Sequence, residues 1–233
     1  MQAFAHGLLE LGDTVVIGGL VRDLLLLSNN EKFSSDIDFV VHPESVDEFE
    51  RSMEGTGASR NRFGGYSLDL HRWKVEVWPL QRTWAVVAGH IEASTLADLT
   101  RATFFNWDAI LYNLSTRELI ASDLYFESVR CRHLEANLIE NPNPLGNAVR
   151  ALRYAYRWNA NLGPKLADHV ARQVQDHGWR KIVDTESASF PVHYLRGIDG
   201  DAVAAALKHW DRQDSCVIVL PLARSDQQLS LFE

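Results

Sequence analysis

The sequence predicts an α+β protein, with a mixed sheet and flanking helices followed by an almost wholly helical domain. In the first half, short apolar β-branched runs alternate with segments of helical spacing. From Ser128 to about His209 the spacing is helical almost throughout, interrupted by turns that contain proline. A chain of 233 residues is long enough for two small domains. The predicted parts are a head over residues 1–126, a helical domain over 127–222 and a tail over 223–233.

Composition excludes several classes of protein. The chain has 23 basic and 31 acidic residues and a net charge of −8, which argues against indiscriminate binding to nucleic acid. No apolar run approaches the roughly 20 residues of a membrane span, and the N-terminus does not resemble a secretion signal. Cys131 and Cys216 lie far apart, so neither a disulfide framework nor a zinc site is indicated. We therefore expect a cytoplasmic protein without membrane association.

The elements of the first part follow from the spacing of apolar residues. Helical spacing predicts four helices, over Phe4–Leu11, Leu20–Leu27, Ser45–Met53 and Leu96–Leu114. Apolar or alternating runs predict five strands, over Thr14–Ile17, Ile37–Val41, Ser67–His71, Lys74–Trp78 and Glu118–Ile120. The third and fourth of these strands are close in sequence, which indicates an antiparallel pair. A late apolar run, Cys216–Leu220, is predicted to be a strand or a packed extension.

Two glycines stand where the first strand turns into a helix. Gly18 and Gly19 let the backbone approach a phosphate closely, and the following helix offers N–H groups at its N-terminus. Arg22, one turn into that helix, adds a cation for the same anion. A pair of glycines also marks many ordinary turns, so the pattern gains weight only from the residues that follow.

Paired carboxylates follow on the next predicted strand. Asp36 and Asp38 are one residue apart, so their side chains leave the same face of the strand. Their mutual repulsion is relieved by hard cations such as Mg²⁺. Glu76, between Val75 and Val77, supplies a third carboxylate, and the three together predict a two-ion site. Each motif alone is common on surface strands and turns.

The motifs occur in an order that resembles a known group of enzymes over residues 12–160. The segments that carry the resemblance are Gly18–Leu25, Asp36–Phe39, Val75–Val77, Phe105–Ile110 and Val149–Tyr154. Together they resemble the polymerase-beta nucleotidyltransferase superfamily. The nearest likeness is to the head and neck of class II CCA-adding tRNA nucleotidyltransferases and bacterial poly(A) polymerases.

The resemblance implies a Mg²⁺-dependent nucleotidyltransferase that moves NMP from an NTP such as ATP to a hydroxyl, releasing pyrophosphate. The resemblance leaves three acceptors open: an RNA (a tRNA end among them), a protein or a small molecule. The residues it implies are Asp36, Asp38 and Glu76 as catalytic and metal-binding groups, and Gly18, Gly19, Arg22, Arg150 and Arg153 as nucleotide-binding groups. Arg150 and Arg153 share one helix face with Arg157, a pattern that is also typical of a solvated basic face.

Two departures from the family pattern concern substrate choice. Its RRD motif is replaced by Ala102–Phe104, and the acidic residue and first arginine of its neck motif are absent around Asn143–Asn147. An Asp/Arg pair distinguishes bases through charged hydrogen bonds, so base preference is undefined here. The sequence therefore predicts a divergent relative.

The last residues contain a short pattern of another kind. Gln228, Leu229, Ser230, Leu231 and Phe232 resemble the peptide with which bacterial proteins dock on the DNA polymerase sliding clamp. The glutamine offers an amide for orientation, and the apolar side chains offer anchors for a groove. The alternative is a tail that folds on the protein's own surface. Docking would favour a second hypothesis, in which the chain is a catalytically silent nucleotidyltransferase-fold module bound to the clamp.

Overall fold

The computed structural model describes residues 1–26, 36–71, 73–210 and 217–221. The chain forms two compact units, Met1–Tyr125 and Phe126–Glu233. The division lies next to the position at which the sequence changes from an alternating to a helical pattern. Within the described ranges, no helix is both long and apolar enough to cross a membrane.

The first unit is built on a mixed sheet of seven strands, which lie in the order β3-β4-β5-β2-β1-β6-β7. All neighbouring strands are antiparallel except β2 and β5, which are parallel. The strands are β1 (Gly12–Ile17), β2 (Ile37–Pro43), β3 (Ser59–Arg60), β4 (Tyr66–Leu70), β5 (Trp73–Pro79), β6 (Ile110–Asn113) and β7 (Leu119–Ala121). The predicted mixed sheet and the predicted antiparallel β4–β5 pair are confirmed.

Short helices flank this sheet. Ser45 caps the helix over Val46–Gly55, because its hydroxyl accepts a hydrogen bond from the backbone N–H of Glu48 at 3.3 Å. The α-helices are α1 (Gln2–Leu11), α2 (Gly19–Leu26), α3 (Val46–Gly55) and α4 (Trp84–Val87). Three 3₁₀ segments cover Leu80–Arg82, Leu96–Arg101 and Asn106–Asp108.

The helix predicted over Leu96–Leu114 is wrong. A capping box at Thr95 and Asp98 starts a 3₁₀ segment that ends at Arg101, and the end of the predicted helix is strand β6. Ile110 and Leu111 are both fully buried, because β6 lies between β1 and β7 and is covered on both faces. A strand buried on both faces has a continuous apolar run, which spacing alone does not distinguish from a buried helix.

Both faces of the central strands are covered. On one face, Val15 and Val40 pack with Leu80, Leu99 and Leu111 in a buried cluster. On the other face, Phe39 meets Phe4 of α1, with ring centroids 6.1 Å apart. This core holds β1 and β2 in a fixed register, and that register positions Asp36 and Asp38 at the beginning of β2.

The second unit confirms the predicted helical character. Its helices are α5 (Tyr125–Arg130), α6 (Pro144–Trp158), α7 (Pro164–Ser189) and α8 (Gly200–His209). Helix α7 packs against both α6 and α8, and it is interrupted at Gly178, whose φ of 75° suits glycine. Two short parallel strands, β8 (His133–Leu134) and β9 (Asn161–Leu162), join the unit, and Ile218 forms an antiparallel bridge to Leu162.

A buried histidine makes the stability of the second unit depend on pH. The Nε2 atom of His169 on α7 lies 2.9 Å from the backbone carbonyl of Pro144, and burial lowers the pKa of this imidazole. The unfolded chain therefore takes up the proton first, so stability falls as pH drops below about 6.5. We expect the thermal midpoint to fall more in the wild type than in His169→Gln between pH 8 and pH 5.5. Equal losses in both proteins would contradict this role.

Candidate functional site

The register of the sheet brings the predicted carboxylates into one row. In the parallel β2–β5 pair, Asp38 is the partner of Glu76, and Ile17 of β1 is the partner of Asp38 on the other side. Asp36 comes just before β2 and shares the face of Asp38, two residues on. We call Asp36, Asp38 and Glu76 the acidic row. Asp38 and Glu76 are half-buried, whereas Asp36 is exposed.

A lysine, which the sequence analysis did not single out, lies within this row. The Lys74 Nζ atom is 3.1 Å from Asp36 Oδ2 and 3.2 Å from Glu76 Oε1. These contacts raise the pKa of Lys74, the hydrogen bond to Asp36 most of all, with partial burial opposing. The Ser67 hydroxyl on β4 donates to Glu76 Oε1 at 3.2 Å, which orients that carboxylate further.

The donor chemistry of the acidic row fits a hard cation. Asp36 and Glu76 already converge on one ammonium group, and carboxylate oxygens are the ligands that Mg²⁺ prefers. Among the residues that the structure describes, no group of three or more His, Cys, Asp or Glu side chains is arranged to hold a metal ion. The arrangement of two ions on three carboxylates stays a prediction.

The glycine turn lies beside the acidic row. Gly18 directly follows Ile17, the strand partner of Asp38, and has a φ of 71°, a conformation that L-residues with a side chain rarely adopt. Its N–H donates to the carbonyl of Ile110 at 3.1 Å, and its carbonyl accepts from the N–H of Arg22 at 3.0 Å. Helix α2 therefore begins at the end of β1 that lies beside Asp38 of the acidic row. A β-carbon placed on Gly18 would meet no atom within 4 Å.

Arg22 lies inside a buried cluster of charges. Its side chain is 3% exposed, its Nε and Nη2 atoms donate to Asp23 Oδ1 at 2.8 and 2.6 Å, and its Nη1 atom donates to Asp108 Oδ1. Burial raises the pKa of the neighbouring Tyr125, and the charge of Asp108 adds to the effect. The proposed contact between Arg22 and a triphosphate stays a prediction. Asp108 lies in Phe105–Ile110, but its pairing with Arg22 was missed because the two residues are 86 positions apart in the sequence.

The two arginines of the second unit differ in their surroundings. Arg150 is half-buried and donates from Nη2 to the Tyr154 hydroxyl at 3.1 Å. Arg153 is buried, and its Nη1 atom lies 2.6 Å from Glu186 Oε1 and 2.5 Å from the carbonyl of Val192. The contacts of Arg150 and Arg153 with a nucleotide stay a prediction. Gln228–Phe232 lie outside the described residues, so the structure says nothing about this segment.

Comparison with solved structures shows what this fold is. A tRNA nucleotidyltransferase complexed with a primer tRNA and an incoming ATP analogue matches 78% of this chain and 54% of its own length, with 19% identity and a TM-score of 0.54. An apo tRNA-processing enzyme matches 78% and 49%, with 18% identity and a TM-score of 0.52. The Thermotoga maritima CCA-adding enzyme complexed with tRNA matches 72% and 39%, with 19% identity and a TM-score of 0.51.

These likenesses show that the chain shares the fold of part of these enzymes, a head with a mixed sheet and a helical neck, as the sequence predicts. The chain spans about half the length of the solved structures it matches, or less. No protein-family model and no curated protein matches the sequence.

Proposed function

We propose that this protein is a Mg²⁺-dependent nucleotidyltransferase that transfers NMP from an NTP to a hydroxyl of RNA, with release of pyrophosphate. The acidic row beside the Gly18 turn carries the proposal, because it joins a cation-binding surface to a helix N-terminus suited to phosphate. The solved structures with the same fold include enzymes in complex with tRNA and a nucleotide analogue, which supports RNA as the acceptor.

Each part of the site has a task in this reaction. Asp36, Asp38 and Glu76 would hold Mg²⁺, which when bound lowers the pKa of an attacking hydroxyl and offsets charge on the phosphates. The turn at Gly18 and Gly19 would receive the triphosphate, since glycines carry no side chain and the Cβ position at Gly18 has no other atom within 4 Å. The acceptor hydroxyl loses its proton to water, its oxygen forms a bond to the α-phosphorus, and the bond from that phosphorus to the bridging oxygen of pyrophosphate breaks.

Exposed lysines and arginines on α7 would supply the electrostatic contacts to RNA. Lys165, Arg172, Arg180 and Lys181 are exposed along this helix, although Asp176 and Asp184 are exposed among them and the Arg180 Nε atom lies 4.0 Å from Asp184 Oδ2. Exposed lysines and arginines contact phosphates without regard to sequence, and such binding weakens with salt. Recognition of the RNA acceptor would therefore depend on local charge rather than on the net charge of the protein.

A transfer assay tests this proposal directly. The protein is incubated with Mg²⁺, each α-³²P-labelled NTP in turn, and total RNA or tRNA that lacks its 3′-terminal nucleotides. We expect label on RNA with the wild type and none with Asp36→Ala/Asp38→Ala. Equal incorporation by both proteins, or none by either, would contradict the proposal, and label on protein alone would replace RNA as the acceptor.

The second candidate is a silent module that docks on a sliding clamp through Gln228–Phe232, and one observation favours its silence. Arg22 and Arg153, two residues implied in nucleotide binding, have carboxylate partners within their own units. A pull-down with the purified clamp, with and without residues 228–232, tests it. Recovery that depends on these residues supports docking, and recovery that is unchanged by the deletion excludes it.

A further inference from the structure

We propose that Lys74 competes with divalent cations for the acidic row and thereby sets the metal affinity of the site. The ammonium occupies a cation position between Asp36 and Glu76, and a metal ion that uses the same oxygens has to displace it. This inference rests on the proposed function, because it concerns the same carboxylates.

The position of Lys74 follows from the backbone. Lys74 and Glu76 lie two residues apart on β5, so their side chains leave the same face of the sheet. Ile37 pairs with Val75 across the parallel β2–β5 ladder, which places Asp36 opposite Lys74. Because the register of two strands fixes the backbone positions of these residues, the Lys74 ammonium can reach both carboxylates whenever the sheet is formed.

The Lys74 ammonium and a divalent cation cannot occupy the acidic row at the same time. The ammonium shares carboxylate oxygens with the incoming ion, and two cations a few ångströms apart repel each other. An ammonium hydrogen-bonds at about 3 Å, whereas Mg²⁺ demands oxygens at about 2.0–2.1 Å in near-octahedral order. Mg²⁺ therefore cannot bind Asp36 and Glu76 while Lys74 keeps its contacts with the same oxygens.

Displacement is nevertheless possible, because the Lys74 contacts are weak enough to break. The Lys74 side chain is 50% exposed and the Asp36 side chain is 46% exposed. Solvent-exposed ion pairs contribute little, and the four-carbon stem of lysine lets the ammonium move into water. Lys74 thus lowers metal affinity without abolishing it.

Isothermal titration of the full chain with Mg²⁺ and with Mn²⁺ tests the inference without measuring activity. We expect Lys74→Met to bind the ion about 3- to 30-fold more tightly than the wild type, the range that two exposed ion pairs represent. Lys74→Arg keeps the charge, so it should bind close to the wild-type value. Lys208→Met, which removes an exposed lysine from α8, is the matched control and should bind as the wild type does.

The outcomes separate this inference from the proposed function. Asp36→Asn/Asp38→Asn should bind no ion in the same titration, which assigns the signal to the acidic row. If the wild type binds there and Lys74→Met binds with equal or lower affinity, the role of Lys74 is excluded and the metal site stands. If neither protein binds an ion while thermal unfolding shows both to be folded, the metal-dependent function itself is overturned.

Discussion

Asp38→Asn should reduce NMP transfer by about 10²- to 10³-fold or more, with little change in thermal stability. Asp38 is the central member of the acidic row, paired with Ile17 on one side and Glu76 on the other. The substitution keeps the shape of the side chain but removes the charge that a divalent cation and a phosphoryl transition state require. Initial rates at saturating NTP and Mg²⁺ measure the effect.

The control for this variant lies at the other end of the same sheet. Asp13→Asn makes the same chemical change at an exposed position of β1, whose strand partner is His42 rather than a member of the acidic row. Its transfer rate should stay within about twofold of the wild type, since surface substitutions away from the site have small effects. A comparable loss in both variants would show that charge in general, and not this site, supports activity.

Glu186→Ala should destabilise the second unit by about 3–5 kcal/mol, because it leaves the guanidinium of Arg153 buried without its carboxylate. The Glu186 side chain is fully buried, and its Oε1 and Oε2 atoms accept from the N–H groups of Tyr194 and Leu195 at 2.8 and 3.0 Å. Urea unfolding followed by circular dichroism measures the loss.

Two further variants identify the cause of this loss. Asp184→Asn changes an exposed carboxylate on the same helix and should cost less than about 0.5 kcal/mol. Arg153→Met/Glu186→Leu removes both charges and should recover part of the stability lost in Glu186→Ala. If Glu186→Ala unfolds at the same urea concentration as Asp184→Asn, the buried pair does not stabilise the unit.

The residues that the sequence could predict are those with local patterns. Asp36 and Asp38 share a face because strands alternate, and the turn at Gly18 follows from its place between a strand and a helix. Lys74 was missed because its neighbours depend on which strand pairs with β5, and alternation does not contain that information. The parallel pairing is set by the packing of the whole unit.

Burial explains why the ion pairs of Arg22 and Arg153 could not be predicted from the sequence. The helical face that carries Arg150 and Arg153 is visible in the sequence, but the contact of Arg153 with Glu186 joins residues 33 positions apart. The contact of Arg22 with Asp108 spans 86 positions. Charged residues are usually exposed, so periodicity gives no reason to expect Arg153 and Glu186, or Arg22 and Asp108, to pair inside the protein. Such pairs become apparent only once the elements have packed.

The parallel pairing of β2 with β5 has a consequence for synthesis on the ribosome. Asp36 and Asp38 emerge early, but the strand that bears Glu76 ends at Pro79, after α3 and the β4 hairpin strand. While β5 is still inside the ribosome, the nascent chain carries Asp36 and Asp38 without Glu76 and without the Lys74 ammonium. We therefore expect the proposed cation site to stay incomplete until the crossover has paired β5 with β2.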